Sequence, residues 1–207
     1  MYEFESRARR SGFSLVAGVD EAGRGPLAGP VVAAAVVLPA DYRNSEIRDS
    51  KQLSSKKRDE MYGILINEAV SFGLGVVEPS VIDQMNILRA SLLAMKEAVM
   101  NLSSGIDFLL IDGNQGIDLP IPQQTIIDGE SHSISVAAAS IIAKVSRDRI
   151  MEIYHRQYPQ YNFINNKGYG TEEHRRAIKI HGCCKLHRMS FKPVREALSI
   201  SLLDETK

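Results

Sequence analysis

Two short apolar runs, separated by a segment rich in glycine and proline, constrain the fold of this chain most strongly. The runs are LVAGVDEAG at 15–23 and VVAAAVVL at 31–38, and the segment between them is GRGPLAGP. Apolar, β-branched runs of this length are typical of strands that are buried on both faces, whereas glycine and proline favour a turn. The pattern therefore predicts two buried strands at the centre of a sheet.

Three more strands and five helices follow from the remaining pattern. We predict strands at 71–78, 107–112 and 120–128, the last at a sheet edge because prolines lie at its start. We predict helices at 53–70, 80–102, 133–158 and 193–203, and one that begins at Thr171. Strands that come first and then alternate with helices indicate a mixed α/β sheet with helices on its faces and a helical C-terminal part.

The helix expected at 80–102 has the clearest internal pattern. Ser80 and Asp83 have the spacing of a capping box, which predicts the helix start. Apolar residues then recur every three or four positions, which predicts one buried face. These residues are Val81, Met85, Leu88, Leu92, Met95 and Val99.

Length and charge limit the classes of protein that this chain can belong to. A chain of 207 residues suits one main core. The net charge is zero, but residues 144–195 carry 12 Lys or Arg against 4 Asp or Glu, a net of +8, and the rest carries 13 against 21, a net of −8. A basic segment of this kind can follow a phosphate backbone, although it can also be a solvated helix surface. We expect a cytoplasmic protein, because no apolar run resembles a membrane span or a signal peptide.

The two cysteines do not indicate a disulfide. Cys183 and Cys184 are adjacent, and neighbours in sequence do not form the usual unstrained bridge. His181 and His187 flank them, so a zinc site is an alternative, but the spacing HGCCKLH lacks a C-x-x-C pair. We interpret both cysteines as ordinary packing residues.

Three carboxylates stand where predicted apolar strands end. Asp20 and Glu21 end the first strand and Asp112 ends the fourth. Buried carboxylates need compensation, and a hard divalent cation such as Mg²⁺ prefers oxygen ligands. Asp20 and Glu21 would point to opposite faces of a regular strand, so a shared site requires an irregular backbone near Gly23. The alternative for each aspartate alone is a turn or cap residue.

Seven segments together resemble the ribonuclease HII family. In chain order they are GVDEAGRGPLAGPVVAAAV, DSKQLSSKKRD, NILRASLLAM, LIDGN, ISVAAASIIAKVSRDR, NKGYGTEEHRRAI and HRMSF, spread over residues 18–191. The resemblance implies a ribonuclease-H-like mixed five-stranded sheet flanked by helices. It also implies a catalytic core at 1–158 and a C-terminal helical extension of the same domain at 159–207 that binds substrate.

The same resemblance implies the metal ligands. They are Asp20, Glu21 and Asp112, with a fourth carboxylate ten residues before Ser140, at Glu130. The family usually has aspartate there, and Glu130 is one methylene longer, which leaves Asp128 as an alternative ligand. We interpret Asp148 as structural, paired within its own helix. Mn²⁺ or Mg²⁺ is the implied cofactor.

The resemblance also implies how substrate is bound. Gly23, Arg24 and Gly25 resemble a backbone and guanidinium clamp around a ribonucleotide, and Tyr169 resembles an aromatic residue that stacks near the RNA-to-DNA junction. Lys51, Ser140 and Lys144 resemble contacts to the nucleic-acid backbone. The alternatives are a tyrosine at the rim of the core for Tyr169 and a solvated loop residue for Lys51.

The activity implied is endonucleolytic. We expect a monomer that cuts the RNA strand of RNA–DNA hybrids and cuts at ribonucleotides embedded in duplex DNA. The expected chemistry is two-metal-ion hydrolysis by in-line attack of water, which gives 5′-phosphate and 3′-hydroxyl ends. The alternatives are another nuclease of the same fold and a non-catalytic module that binds hybrids.

Overall fold

A computed structural model describes residues 1–47 and 53–197, and within them five strands form one mixed sheet. The sheet order is β3-β2-β1-β4-β5, with β1–β2 and β2–β3 antiparallel and β1–β4 and β4–β5 parallel. This confirms the predicted mixed sheet, with the first two strands inside it and the fifth at an edge. The strands are β1 (Val16–Ala22), β2 (Val31–Val37), β3 (Ser71–Val77), β4 (Phe108–Asp112) and β5 (Gln123–Ile126).

Helices cover both faces of the sheet, and three of the predicted starts are capped by hydroxyl side chains. Ser54, Ser133 and Thr171 accept hydrogen bonds from main-chain N–H groups three residues ahead. A first helix was not predicted, and residues 192–197 are helical at the end of the described chain. The helices are α1 (Glu3–Arg10), α2 (Ser55–Glu68), α3 (Pro79–Met85), α4 (Ile87–Met100), α5 (Gly129–His132), α6 (Ile134–Gln157), α7 (Phe163–Asn166) and α8 (Glu172–His181).

The single helix predicted at 80–102 is wrong, because the chain forms two helices there. Asn86 interrupts them with a φ of 78°, and its side chain accepts a hydrogen bond from the N–H of Arg89 and so caps α4. The capping box is also wrong. The first helix begins at Pro79, and the Asp83 carboxylate instead accepts hydrogen bonds from the N–H groups of Met189 and Ser190.

The predicted buried face of this region is only partly correct. Met95 and Val99 are buried, but Leu88 is 36% exposed. The helix α4 instead buries Ala90, Ala94 and Ala98 against the sheet. Val81, Met85 and Leu92 are partly buried against the same cluster as Met95 and Val99, so the predicted face is confirmed except at Leu88.

Two glycines explain why α4 lies so close to β3. A Cβ atom at Gly73 would lie 2.2 Å from the carbonyl oxygen of Ala98, and one at Gly75 would lie 2.0 Å from that of Ala94. These contacts are far shorter than real Cβ contacts. Glycine in this strand therefore allows the helix backbone to lie directly on the sheet.

The opposite face of the sheet carries α6, which runs alongside β1 in the same direction. A Cβ at Gly18 would lie 2.1 Å from the carbonyl carbon of Ser135, and one at Gly23 would lie 2.1 Å from Nε of Arg147. The two contacts lie near opposite ends of the strand and follow the same order in the helix. The helix therefore carries Ser140 and Lys144 past the end of β1.

The C-terminal helices pack onto the loop that follows β1. Leu27, Ala28 and Met151 share one buried cluster with residues of α7, α8 and the segment after α8. Cys183 and Cys184 are half-buried and pack against this cluster, which confirms their interpretation as packing residues. The boundary near residue 158 stays a prediction.

Candidate active site

The parallel pairing of β1 with β4 places the predicted carboxylates at one sheet edge. Val19 is opposite Ile111, so Asp20 and Asp112 follow at the same end of neighbouring strands. A cleft of about 360 Å³ opens there. It is lined by Asp20, Glu21, Ala22, Gly23, Arg24, Gly25, Arg58, Asp112, Ser140, Lys144, Arg147 and Tyr169.

Negative charge is concentrated at this edge and is only partly compensated. Burial raises the pKa of Asp20 well above its ordinary value, and repulsion from Glu21, Asp112 and Glu130 raises it further. Burial also raises the pKa of Glu21, against the stabilising effect of Arg24. The site therefore holds carboxylates whose ionised forms need an added positive charge.

Two of the carboxylates are held by α5 and α6. The N–H of Gly129 donates to Oδ1 of Asp112 at 2.7 Å, and Ser140 donates its hydroxyl to Oε2 of Glu130 at 2.8 Å. Asp20 is also within hydrogen-bond reach of the Ser140 hydroxyl, so two acidic side chains compete for its single proton. Glu130 is 6% exposed, and it lies beside the cleft rather than in its lining.

Asp128, the alternative ligand, has a different environment. It precedes α5 with a φ of 53°, its side chain makes no cap hydrogen bond, and it is exposed. The buried side chain next to Ser140 is that of Glu130, two residues later. The geometry of this segment therefore favours Glu130 over Asp128.

The residue types at this edge fit a hard divalent cation. Their oxygen atoms are the preferred ligands, and burial together with repulsion from neighbouring carboxylates raises the pKa of Asp20, which an added cation would oppose. Within residues 1–47 and 53–197, however, no three acidic, histidine or cysteine side chains already form a metal-binding group. In the described structure Glu21 accepts a hydrogen bond from Arg24, and Glu130 accepts one from Ser140. A cation would compete with these contacts.

The predicted substrate residues meet in the same cleft. Arg24 donates to Oε1 of Glu21 at 3.1 Å, and a Cβ at Gly25 would lie 3.7 Å from Cε1 of Tyr169. The N–H of Leu27 donates to the carbonyl of Gly168 at 2.8 Å and fixes the two segments together. Tyr169 is 45% exposed, so its ring is available to a bound molecule.

Among the basic residues predicted to contact substrate, Lys144 lies in the cleft and Lys51 lies outside the described residues. Nζ of Lys144 pairs with Oδ1 of Asp148 at 2.7 Å, which confirms that Asp148 pairs within its own helix. Desolvation lowers the pKa of Lys144, and the ion pair with Asp148 opposes this. A phosphate that bound Lys144 would have to compete with that ion pair.

Sequence reasoning missed three arginines at or near the cleft. Arg58 and Arg147 line it, and Arg188 is fully buried beneath the adjacent loop. Arg147 lies three residues after Lys144 and seven after Ser140, so all three share one face of the helix. Helical periodicity could therefore have predicted that Arg147 lies at the cleft. Nothing in the sequence indicated that Arg188 would be buried.

A pair of buried histidines lies behind Tyr169. The main-chain N–H of Cys184 donates to Nδ1 of His187, so the proton of that ring is on Nε2. That Nε2 lies 3.1 Å from Nε2 of His174, which must accept, and Nδ1 of His174 then donates to the carbonyl of Tyr169 at 2.9 Å. Both rings are therefore neutral.

Acid should destabilise the fold through this pair. Burial and the neighbouring His174 lower the pKa of His187 from 6.5 to about 4. The unfolded chain then binds more protons, so stability is full above pH 6.5 and is lost as the pH falls towards 4, by roughly 3 kcal/mol at most. Urea unfolding at several pH values would measure this loss, and His187→Phe should flatten it. An equally steep dependence in the variant would assign the acid sensitivity to other groups.

This fold and this site define a nuclease of the ribonuclease-H-like class: a mixed sheet with a strand-edge cluster of carboxylates and basic residues around one cleft. The family model for ribonuclease HII matches residues 17–194, and the chain belongs to that family. The family consists of metal-dependent endoribonucleases, and its membership supports endonuclease activity on RNA–DNA hybrids.

Known relatives are similar over nearly the whole chain. Ribonuclease HII of Syntrophus aciditrophicus is 62% identical over 192 residues, which are 93% of this chain and 91% of the relative. Ribonuclease HII of Geotalea daltonii is 52% identical over 95% of this chain and 91% of the relative. The similarity therefore covers nearly the whole chain and is not confined to the segments around the strand-edge carboxylates.

Solved structures share the fold. Ribonuclease H2 of Pyrococcus horikoshii superposes with a TM-score of 0.76 and 25% identity, over 90% of this chain and 98% of that one. Bst ribonuclease HIII in complex with Mn²⁺ superposes with a TM-score of 0.74 and 20% identity, over 94% of this chain and 72% of that one. Among the described residues, none of the helices is both long and apolar enough to cross a bilayer.

Proposed function

We propose that the chain is an endonuclease that cuts the RNA strand of RNA–DNA hybrids and cuts at single ribonucleotides embedded in duplex DNA. One observation carries this proposal. The carboxylates of β1 and β4, residues 23–25 of the loop that follows β1, and Tyr169 all line one cleft. The acidic side chains supply a hydrolytic centre, and the loop and the ring supply a surface for the nucleotide beside it.

The proposed metal ligands are Asp20, Glu21, Asp112 and Glu130, with Mg²⁺ or Mn²⁺ as the ion. Bound divalent ions would acidify the attacking water and neutralise charge on the phosphate, which is the chemistry of two-ion phosphodiester hydrolysis. The chain's own residues orient the centre: Gly129 holds Asp112, and Ser140 holds Asp20 and Glu130. In-line attack by water then leaves 5′-phosphate and 3′-hydroxyl ends.

Recognition of the ribonucleotide is proposed to come from the loop and from Tyr169. Only a 2′-hydroxyl distinguishes a ribonucleotide from a deoxyribonucleotide at one site, and glycines allow main-chain groups to approach it closely. Gly25 lies against the exposed Tyr169 ring, so both can contact one nucleotide.

Action as a monomer in the cytoplasm stays a prediction from the sequence.

The direct test is a cleavage assay on a DNA duplex that contains one ribonucleotide, with Mg²⁺ or Mn²⁺ added. Cleavage at the ribonucleotide, and none of the all-DNA duplex, is expected. Equal cleavage of both duplexes would indicate a different nuclease of the same fold. Binding of the duplex without cleavage in either metal would indicate a non-catalytic module.

Replacing Lys144 by Ala should weaken hybrid binding equally for all base sequences and should reduce the salt slope by about one, because a phosphate contact releases counterions. Titration of a labelled hybrid at several salt concentrations measures both effects. Lys96→Ala is the matched control, since Lys96 also pairs with an aspartate, Asp118, but lies on α4 across the sheet. An unchanged slope in Lys144→Ala would show that this lysine contacts no phosphate.

A further inference from the structure

Arg188 is a buried cation that bonds to main-chain carbonyls rather than to a carboxylate. Its Nη2 donates to the carbonyl of Gly23 at 2.6 Å, its Nη1 to that of Arg24 at 3.0 Å, and its Nε to that of Gly29 at 3.0 Å. Its side chain is fully buried. Burial lowers the pKa of Arg188 to about 9, so the guanidinium stays charged at neutral pH.

These bonds fix the direction of two peptide groups in the 23–30 loop. In a planar trans peptide the C=O and the following N–H point in opposite directions, and the described chain has no cis peptide. Because the carbonyls of Gly23 and Arg24 point to Arg188, the N–H groups of Arg24 and Gly25 point away from it. Arg188 is fully buried and is not part of the cleft lining, whereas residues 23–25 are, so we infer that the N–H groups that point away from Arg188 point towards the cleft.

The two N–H groups are available to a ligand. In the part of the chain that the structure describes, neither has a hydrogen-bond acceptor within the protein. Consecutive N–H groups with one orientation form a concave donor site that suits an oxygen atom, such as a hydroxyl or phosphate oxygen. The third carbonyl bound by Arg188 belongs to Gly29, whose peptide partner is Pro30 and therefore has no N–H to orient.

We propose that Arg188 is a positioning residue that turns the Arg24 and Gly25 N–H groups towards the bound nucleotide and thereby sets the preference for a 2′-hydroxyl. This inference rests on the proposed function. Arg188 touches no substrate in this scheme and acts only through the loop.

Arg147 offers a matched control. It is also buried and also donates three hydrogen bonds to carbonyls, but these belong to Ala28, Pro30 and Lys167. Arg147→Lys and Arg188→Lys should therefore lower the melting temperature to a similar extent. Only Arg188→Lys releases the two peptide groups that carry the proposed donors.

The experiment measures affinity for two duplexes without added metal, one with a single ribonucleotide and one all-DNA. The wild-type chain should prefer the ribonucleotide duplex. Arg188→Lys should lower that preference by roughly fivefold to tenfold, the value of about one hydrogen bond, whereas Arg147→Lys should lower it less, because Arg147 lines the cleft but does not bind the carbonyls of Gly23 and Arg24. An unchanged preference in Arg188→Lys, or an equal loss in both variants, would overturn the inference.

A second measurement uses only the wild-type chain and so does not depend on the folding of a variant. Amide hydrogen exchange at Arg24 and Gly25 should slow on binding the ribonucleotide duplex and should change less with the all-DNA duplex. Equal exchange with both duplexes would overturn the role of these N–H groups. A wild-type chain that bound both duplexes equally would instead overturn the proposed function itself.

Discussion

Replacing Asp20 or Asp112 by Asn is expected to abolish cleavage while hybrid binding and folding persist. The amide keeps the shape of the side chain but removes the charge that would hold a divalent ion. We expect cleavage to fall by roughly a hundredfold or more, equivalent to about 2.7 kcal/mol of lost barrier stabilisation. Single-turnover cleavage of a duplex with one ribonucleotide, at saturating enzyme, measures the chemical step.

Asp20→Asn should at the same time stabilise the metal-free protein. The carboxylate is buried among other acidic groups, and its pKa is raised well above the ordinary value, so ionisation at neutral pH opposes folding. A neutral amide removes this cost, and we expect the free energy of unfolding in EDTA to increase.

Asp118→Asn is the control, because Asp118 has a fully exposed side chain on an unrelated surface. It should change neither cleavage nor stability appreciably. If Asp20→Asn or Asp112→Asn kept more than about a tenth of the wild-type rate, less than about 1.4 kcal/mol would have been lost and the metal-site assignment would fail.

The sheet was predictable because its strongest signals are local. The apolar runs of β1 and β2 bury nearly every residue, so composition alone identifies them as inner strands. Helix starts at Ser133 and Thr171 were predictable for a similar reason, since a hydroxyl cap acts within its own helix turn.

The features that were not predictable depend on contacts between distant segments. Asp83 matched a local cap, but its carboxylate binds Met189 and Ser190, more than a hundred residues away. The break at Asn86 depends on a positive φ that helical periodicity does not reveal. Tertiary contacts and backbone conformation therefore overrode a regular apolar pattern.

The same distinction separates the parts of the site. Asp20 and Asp112 could be paired from the sequence because strand ends meet at one edge of a parallel sheet. The role of Arg188 could not be predicted, because it binds main-chain carbonyls of a loop some 160 residues earlier. Every residue has such a carbonyl, so the sequence does not indicate which ones will be bound. The histidine pair behind Tyr169 was missed for a similar reason.

Glu130 carries the second large prediction: Glu130→Gln should be crippled in cleavage, whereas Asp128→Asn should be nearly silent. Glu130 is buried and shares the Ser140 hydroxyl with Asp20, whereas Asp128 is exposed. A neutral amide at position 130 removes one of the charges that surround Asp20. The same single-turnover assay, run in Mg²⁺ and in Mn²⁺, compares the two variants.

The length of Glu130 makes a third variant informative. A glutamate has one more rotatable bond to order than an aspartate, at a cost of some tenths of a kcal/mol, and it holds an ion with looser geometry. Mg²⁺ demands near-ideal octahedral geometry, whereas Mn²⁺ accepts the same oxygen ligands with higher intrinsic affinity. The wild-type chain should therefore be more active with Mn²⁺, and Glu130→Asp should stay active and shift the preference towards Mg²⁺. If Asp128→Asn were the inactive variant and Glu130→Gln behaved like the wild type, the fourth ligand would lie two residues upstream, and the Ser140 contact would be only structural.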